Sequence, residues 1–148
     1  MQNSAIDLTG AKILIVDDVP ANLDVIYKSL REESYQVLAA INGEMAVEVA
    51  QKEHPDLILL DVLMPDLDGY EVCRRLKNIS DTSDIPIVFI SAQGESDGAA
   101  RAFQVGGVDY MMKPLRIEEL LVRVQMHLER LFLKRALAEE RARRGGAK

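Results

Sequence analysis

Short apolar runs alternate with helical patterns five times along this chain of 148 residues, and that alternation constrains the fold more than any other feature. The runs read as strands over Lys12–Val16, Gln36–Ala40, Leu57–Leu60, Ile87–Ile90 and Val108–Met112. Three of them are continuously apolar, as strands covered on both faces should be. Pro20-Ala21 opens a first helix, with proline in the turn where its missing N–H costs nothing, and Leu23, Ile26, Tyr27 and Leu30 keep helical spacing. A second helix follows Asn42-Gly43 and carries Ala46, Val47, Val49 and Ala50; a third begins near Gly69 with Tyr70, Val72, Cys73 and Leu76. The fourth, around Asp97–Val105, is weakened by Gly98 and a pair of alanines and reads as short. Strict alternation with short connections implies an α/β fold: a doubly wound five-stranded parallel sheet with right-handed crossovers and helices on both faces.

The last helix is longer than the sheet needs. Helical spacing starts at Ile117 and continues through Leu120, Leu121, Val124, Leu128, Leu131 and Leu137 to about Arg143. At ~1.5 Å per residue such a helix runs to about 40 Å, whereas a strand spans only ~17–20 Å. The expected division is therefore an N-terminal tail over residues 1–10, a domain over 11–128, and a projecting helical extension with a disordered end over 129–148. Gly145-Gly146-Ala147-Lys148 reads as disordered. The extension reads as a frayed tail, a dimerisation stalk or the start of a linker to a further domain, with its charged residues keeping it soluble.

The chain is long enough for one domain with a proper core. A formal net charge of −6 argues against direct nucleic-acid binding. The single cysteine, Cys73, rules out an intrachain disulfide framework and suits a reducing compartment. The N-terminal residues Met1 to Asp7 lack the basic start and apolar core of a signal peptide, and no apolar run approaches membrane-spanning length. A cytoplasmic protein without membrane contact is the expectation.

Acidic residues stand where these strands end. Asp17-Asp18 follows Ile13-Leu14-Ile15-Val16, and Asp61 follows Leu57-Ile58-Leu59-Leu60. Buried runs rarely end in charge by accident. In an open parallel sheet the carboxyl ends of the strands share one edge, where ligands bind. Three carboxylates within ~4 Å of one another repel by several kcal/mol at an effective dielectric near 20. Either one takes a proton or a divalent cation settles between them. An all-oxygen donor set with few protein ligands suits Mg2+.

Five parts in order resemble the receiver (response-regulator) domain of two-component signalling, whose prototype is the single-domain chemotaxis regulator. They are Asp17-Asp18 after the first strand, Asp61 after the third, and Met64-Pro65-Asp66-Leu67-Asp68-Gly69 beyond it. Ser91-Ala92 after the fourth strand and Lys113-Pro114 after the fifth complete the set. The resemblance runs from about Ala11 to Leu128 and implies the flavodoxin-like strand order 2-1-3-4-5. It implies Asp61 as phosphoacceptor, with phosphate supplied by a sensor histidine kinase or a phosphotransfer protein. It further implies Mg2+ bound by Asp18 and Asp61, by Asp17 nearby or through water, and by the Leu63 backbone carbonyl. Ser91 and Lys113 would each meet a phosphoryl oxygen, and the Lys113-Pro114 peptide would be cis. Ser91 and Tyr110 would form the switch that reshapes the face of the fourth helix, fifth strand and fifth helix, where partners or a second copy dock. Leu63 and Gln93 occupy positions that tune the attack of water on the acyl phosphate. Such a chain is a signalling switch that assists its own phosphorylation and dephosphorylation rather than an enzyme.

Plainer roles exist for the same residues. Asp17-Asp18 could cap the first helix, Lys113 could be an ordinary surface lysine, and Tyr110 could be core. Asp66-Leu67-Asp68-Gly69 hints at a calcium loop but lacks the acids expected further along, and reads as the turn that starts the third helix. His54 and His127 lack a metal-ligand partner at helical spacing and read as surface residues. Two other functions compete. A haloacid dehalogenase-like Mg2+-dependent phosphatase would place Asp-x-Asp after the first strand, where this chain has Asp17-Asp18-Val19-Pro20. A receiver kept as an unphosphorylated docking scaffold is the other.

Overall fold

The computed structural model describes residues 6–92 and 97–146. Five strands, β1 (Lys12–Val16), β2 (Gln36–Ala40), β3 (Leu57–Asp61), β4 (Ile87–Ser91) and β5 (Asp109–Met112), alternate with five helices. The helices are α1 (Pro20–Glu32), α2 (Gly43–Glu53), α3 (Gly69–Lys77), α4 (Gly98–Gln104) and α5 (Ile117–Gly146). The sheet is parallel throughout, in the order β2-β1-β3-β4-β5. This is the doubly wound arrangement that the alternation and the resemblance imply.

Alternation along each strand sends consecutive side chains to opposite faces, which produces two core layers. Leu14, Val16, Ile58, Leu60 and Phe89 pack with Ala46, Ala50, Val72, Cys73 and Leu76 beneath α2 and α3. Ile13, Ile15, Leu57, Leu59, Val88 and Ile90 pack with Leu23, Ile26, Leu30, Leu120, Val124 and Leu128 beneath α1 and α5. Every residue of β3 and β4 is buried, including the last of each, Asp61 and Ser91. The strands thus run one residue past their apolar runs. Pairing continues because Asp61 stands opposite Ile90 and Ser91 opposite Met112, and the ladder needs only backbone groups.

The helix starts explain the acidic loop. Asn42 caps α2 by accepting the Met45 N–H at 2.8 Å, and Asp68 caps α3 by accepting the Glu71 N–H at 2.9 Å. Asp66 reaches across from the β3–α3 loop and accepts the Gly43 and Glu44 N–H groups, each at 2.9 Å. Asp66 and Asp68 therefore serve two helix N-termini, in line with the turn reading of this segment.

α5 covers the sheet with Leu120, Val124 and Leu128 and then runs on, exposed from Leu133 to Glu139 apart from an ion pair between Arg135 and Asp56 at 2.9 Å. The helix extends through Gly145 and Gly146, beyond its expected end near Arg143 and into the segment that reads as disordered. Pairs from Glu140 to Arg143 (2.8 Å) and Arg144 (3.2 Å) brace that last turn. Ala147 and Lys148 lie outside the described residues.

His127 corrects a second expectation. It is buried, with Nε2 2.9 Å from Asp109 Oδ2, because the helical face that carries Val124 and Leu128 also carries position 127, and a β5 carboxylate meets it there. Among the described residues no helix is long and apolar enough to cross a membrane.

Candidate functional site

The parallel registers align the C-terminal ends of β1, β3, β4 and β5 on one edge of the sheet, and the acids meet there. Carboxylate oxygens of Asp17, Asp18 and Asp61 lie within 4.8 Å of one another. Asp17 is fixed by the turn that leaves β1: Oδ1 accepts the Val19 N–H at 2.9 Å, and Oδ2 accepts the Asn22 side-chain amide at 3.1 Å. These bonds hold Asp17 inward and buried. They do not make it a helix cap, since Val19 is the N-cap residue of α1 and lacks a side-chain cap bond. Asp18 remains exposed. Asn22 gave no clear signal in the sequence beyond being a polar residue in the first turn of α1.

Asp61 ends β3 at 5% exposure. Burial, followed by the charge of Asp17, pushes its carboxyl up to about 6, while the Lys113 ammonium pulls in the opposite direction. The loop after it folds back closely: the Gly69 N–H bonds the Val62 carbonyl at 2.7 Å, and a Cβ on Gly69 would sit 2.5 Å from the Asp61 carbonyl oxygen. Only glycine admits that approach.

Lys113 follows β5, with its backbone N–H bonded to the Ser91 carbonyl at 2.7 Å and its peptide to Pro114 cis. Its ammonium lies 3.4 Å from Asp17 Oδ2 and 3.5 Å from Asp61 Oδ1, so it is no ordinary surface lysine. Ser91 is fully buried at the end of β4, and its hydroxyl reaches the Ala92 carbonyl at 3.3 Å. Leu63, two residues past Asp61, is 61% exposed. Tyr110, on β5, packs against the layer beneath α2 and α3 with its hydroxyl buried. Gln93 lies outside the described residues. His54 is exposed and ends α2 in a left-handed conformation, away from these groups. Cys73 is buried in α3, and burial pushes its thiol up to about 11, so it is packing rather than a nucleophile.

Among the described residues the edge thus gathers three carboxylates against one ammonium, with a hydroxyl from the neighbouring strand. Such a set is short of positive charge and rich in hard oxygen donors, which fits a divalent cation.

The site and fold agree with comparison to known proteins. The response regulator receiver domain profile matches residues 13–125. The chain is 39% identical over 119 residues to the DNA-binding dual master transcriptional regulator RpaA of Synechocystis, covering 80% of this chain and 49% of that protein. It is 39% identical over 116 residues to the response regulator PleD of Caulobacter vibrioides, covering 78% of this chain and 26% of that protein. It therefore spans at most about half the length of these relatives. A solved chemotaxis response regulator, CheY4 of Vibrio cholerae, is 30% identical with a TM-score of 0.75, covering 80% of this chain and 99% of that one. With its acidic triad, strand order and matched span, the chain belongs to the response regulator receiver family of two-component signal transduction.

Proposed function

We propose that this domain accepts a phosphoryl group on Asp61 from the phosphohistidine of a sensor kinase or phosphotransfer protein. The observation that carries the reading is the Lys113 ammonium held between Asp17 and Asp61. A carboxylate oxygen of Asp61 attacks phosphorus, the bond from phosphorus to the donor nitrogen breaks, and that nitrogen leaves with its electron pair. The incoming charge has to be met by positive charge and hydrogen-bond donors beside Asp61. Lys113 pairs with one phosphoryl oxygen, and the Ser91 hydroxyl donates to another. Asp18 and Asp61, with Asp17 close by and the Leu63 carbonyl, would hold Mg2+. Bound there, Mg2+ supplies the positive charge that offsets both the carboxylates and the phosphoryl oxygens.

The added charge of about −2 makes the domain a switch rather than a catalyst of turnover. Ser91 and Tyr110 link the site to the α4, β5 and α5 face. The phosphatase alternative lacks its nucleophile motif: a haloacid dehalogenase-like site needs Asp-x-Asp directly after β1, where this chain has Asp17-Asp18-Val19-Pro20. Incubation with a radiolabelled histidine-phosphorylated kinase tests the reading. Label should pass to this chain only with Mg2+, and hydroxylamine should release it as it does an acyl phosphate. Stable label on serine, or none at all, would overturn it.

A further inference from the structure

We propose that Asn22 is a positioning residue for the phosphoryl-transfer site: its side-chain amide holds the Asp17 carboxylate in place while the Lys113 ammonium turns to the incoming phosphoryl group. This role presupposes the Mg2+ and phosphoryl chemistry proposed for Asp61. Among the described residues three donors reach Asp17. Oδ1 accepts the Val19 N–H at 2.9 Å, while Oδ2 faces both the Asn22 amide at 3.1 Å and the Lys113 ammonium at 3.4 Å. Two donors are as many as one carboxylate oxygen has lone pairs, so Oδ2 is filled and Oδ1 keeps one lone pair for the cation or its water. An ionised carboxylate only accepts, which fixes the Asn22 amide with its NH2 toward Asp17.

The two donors on Oδ2 differ in what ties them down. The Lys113 ammonium also stands 3.5 Å from Asp61 Oδ1, and a phosphoryl group on Asp61 brings further negative oxygens to it. Its hold on Asp17 then weakens. The Asn22 amide is neutral, so that charge draws it far less. Its backbone is the third residue of α1, bonded through its own N–H to the Val19 carbonyl at 3.0 Å, and α1 is anchored by the buried Leu23 and Ile26. Asp17 is 4% exposed, so an Oδ2 left without any donor would find little water to replace it. A carboxylate free to turn also loses its aim at the cation, as ligands without their outer hydrogen bonds do. A neutral amide is the donor this place admits. A fourth acid would add to the repulsion among Asp17, Asp18 and Asp61, and a second ammonium would compete with the cation.

Mg2+ titrations of the full chain, followed by NMR amide shifts, test this alongside phosphorylation by acetyl phosphate. Asn22→Leu keeps the side chain's size and removes its donor. It should weaken Mg2+ binding by about tenfold or more, and Asn22→Ala, a good helix former in that turn, should do the same. In the Asp17→Ala background, where Asp18 and Asp61 remain to bind the cation, Asn22→Leu should change affinity by less than about twofold, because its target is gone. At saturating Mg2+ the phosphorylation rate of Asn22→Leu should stay about tenfold or more below wild type, since the departure of the lysine then frees Asp17. Unchanged Mg2+ affinity in both single variants would overturn the proposal. So would an equal loss with and without Asp17, which marks a packing role in α1, or a rate fully restored by saturating Mg2+. A wild type that binds Mg2+ yet takes no phosphate would instead overturn the phosphoacceptor reading, while the binding comparison still decides whether Asn22 holds Asp17.

Discussion

The hydroxyl of Tyr110 occupies the space that any side chain on Gly98 would need. A Cβ built on Gly98 would overlap that hydroxyl and lie 2.7 Å from the ring carbon bearing it. Gly98 at the start of α4 therefore admits Tyr110 to its inward position, and the hydroxyl is buried there without a hydrogen-bond partner among the described residues. Gly98→Ala should drive the ring outward, read as faster nitration of Tyr110 in peptide mass maps. Tyr110→Phe removes an unsatisfied buried hydroxyl and should raise stability by about 1 kcal/mol in urea denaturation. Unchanged nitration and a destabilised Phe variant would show that the contact is not as described.

Asp61 predicts an unusual dependence of stability on pH. Its carboxyl is raised to about 6 in the folded chain, against about 4 when unfolded, so the fold holds that proton more tightly. The stabilisation is fully present below about pH 4 and is lost as pH rises through about 6. At neutral pH without metal, Asp61→Asn should therefore be more stable than wild type, by on the order of 2–3 kcal/mol. Added Mg2+ should raise the wild-type melting temperature and leave that of the Asn variant almost unchanged. Urea midpoints measured in chelator from acid to neutral pH check the sign; a wild type that gains stability across that range would refute it.

Removing the ammonium should expose the same imbalance. Lys113→Met leaves Asp17 and Asp61 facing each other without a cation and should cost about 1–2 kcal/mol at neutral pH. That is below the cost for fully buried pairs because the ammonium keeps some contact with water. In mild acid, where Asp61 takes up its proton, the loss should shrink. An equal loss at both pH values would point to packing of the lysine stem instead.

Asp66 makes a separate prediction for the fold. It accepts the Gly43 and Glu44 N–H groups at the start of α2, so Asp66→Ala should destabilise by about 1 kcal/mol without changing Mg2+ binding. A loss of Mg2+ affinity would make it part of the cation site.

Much of this was legible in the chain itself. Buried apolar runs and helical spacing carry the strand order's α/β class, and the acids and Lys113 betray themselves by standing at strand ends. What stayed hidden depends on contacts distant in sequence. The bond between Asp66 and α2 spans a loop and two elements. The burial of His127 depends on Asp109 arriving from β5, and no local pattern announces that partner. Asp61 and Ser91 belong to their strands because backbone pairing ignores side-chain polarity. The end of α5 was misplaced because consecutive glycines usually stop a helix, whereas Glu140 and its two arginines brace this one.

The most direct measurement is the intact mass of the chain after incubation with Mg2+ and acetyl phosphate, for wild type and Asp61→Asn side by side. The account predicts one labile phosphate on the wild type and none on the variant. An equal adduct on both, or no adduct on a wild type shown separately to bind Mg2+, would contradict it.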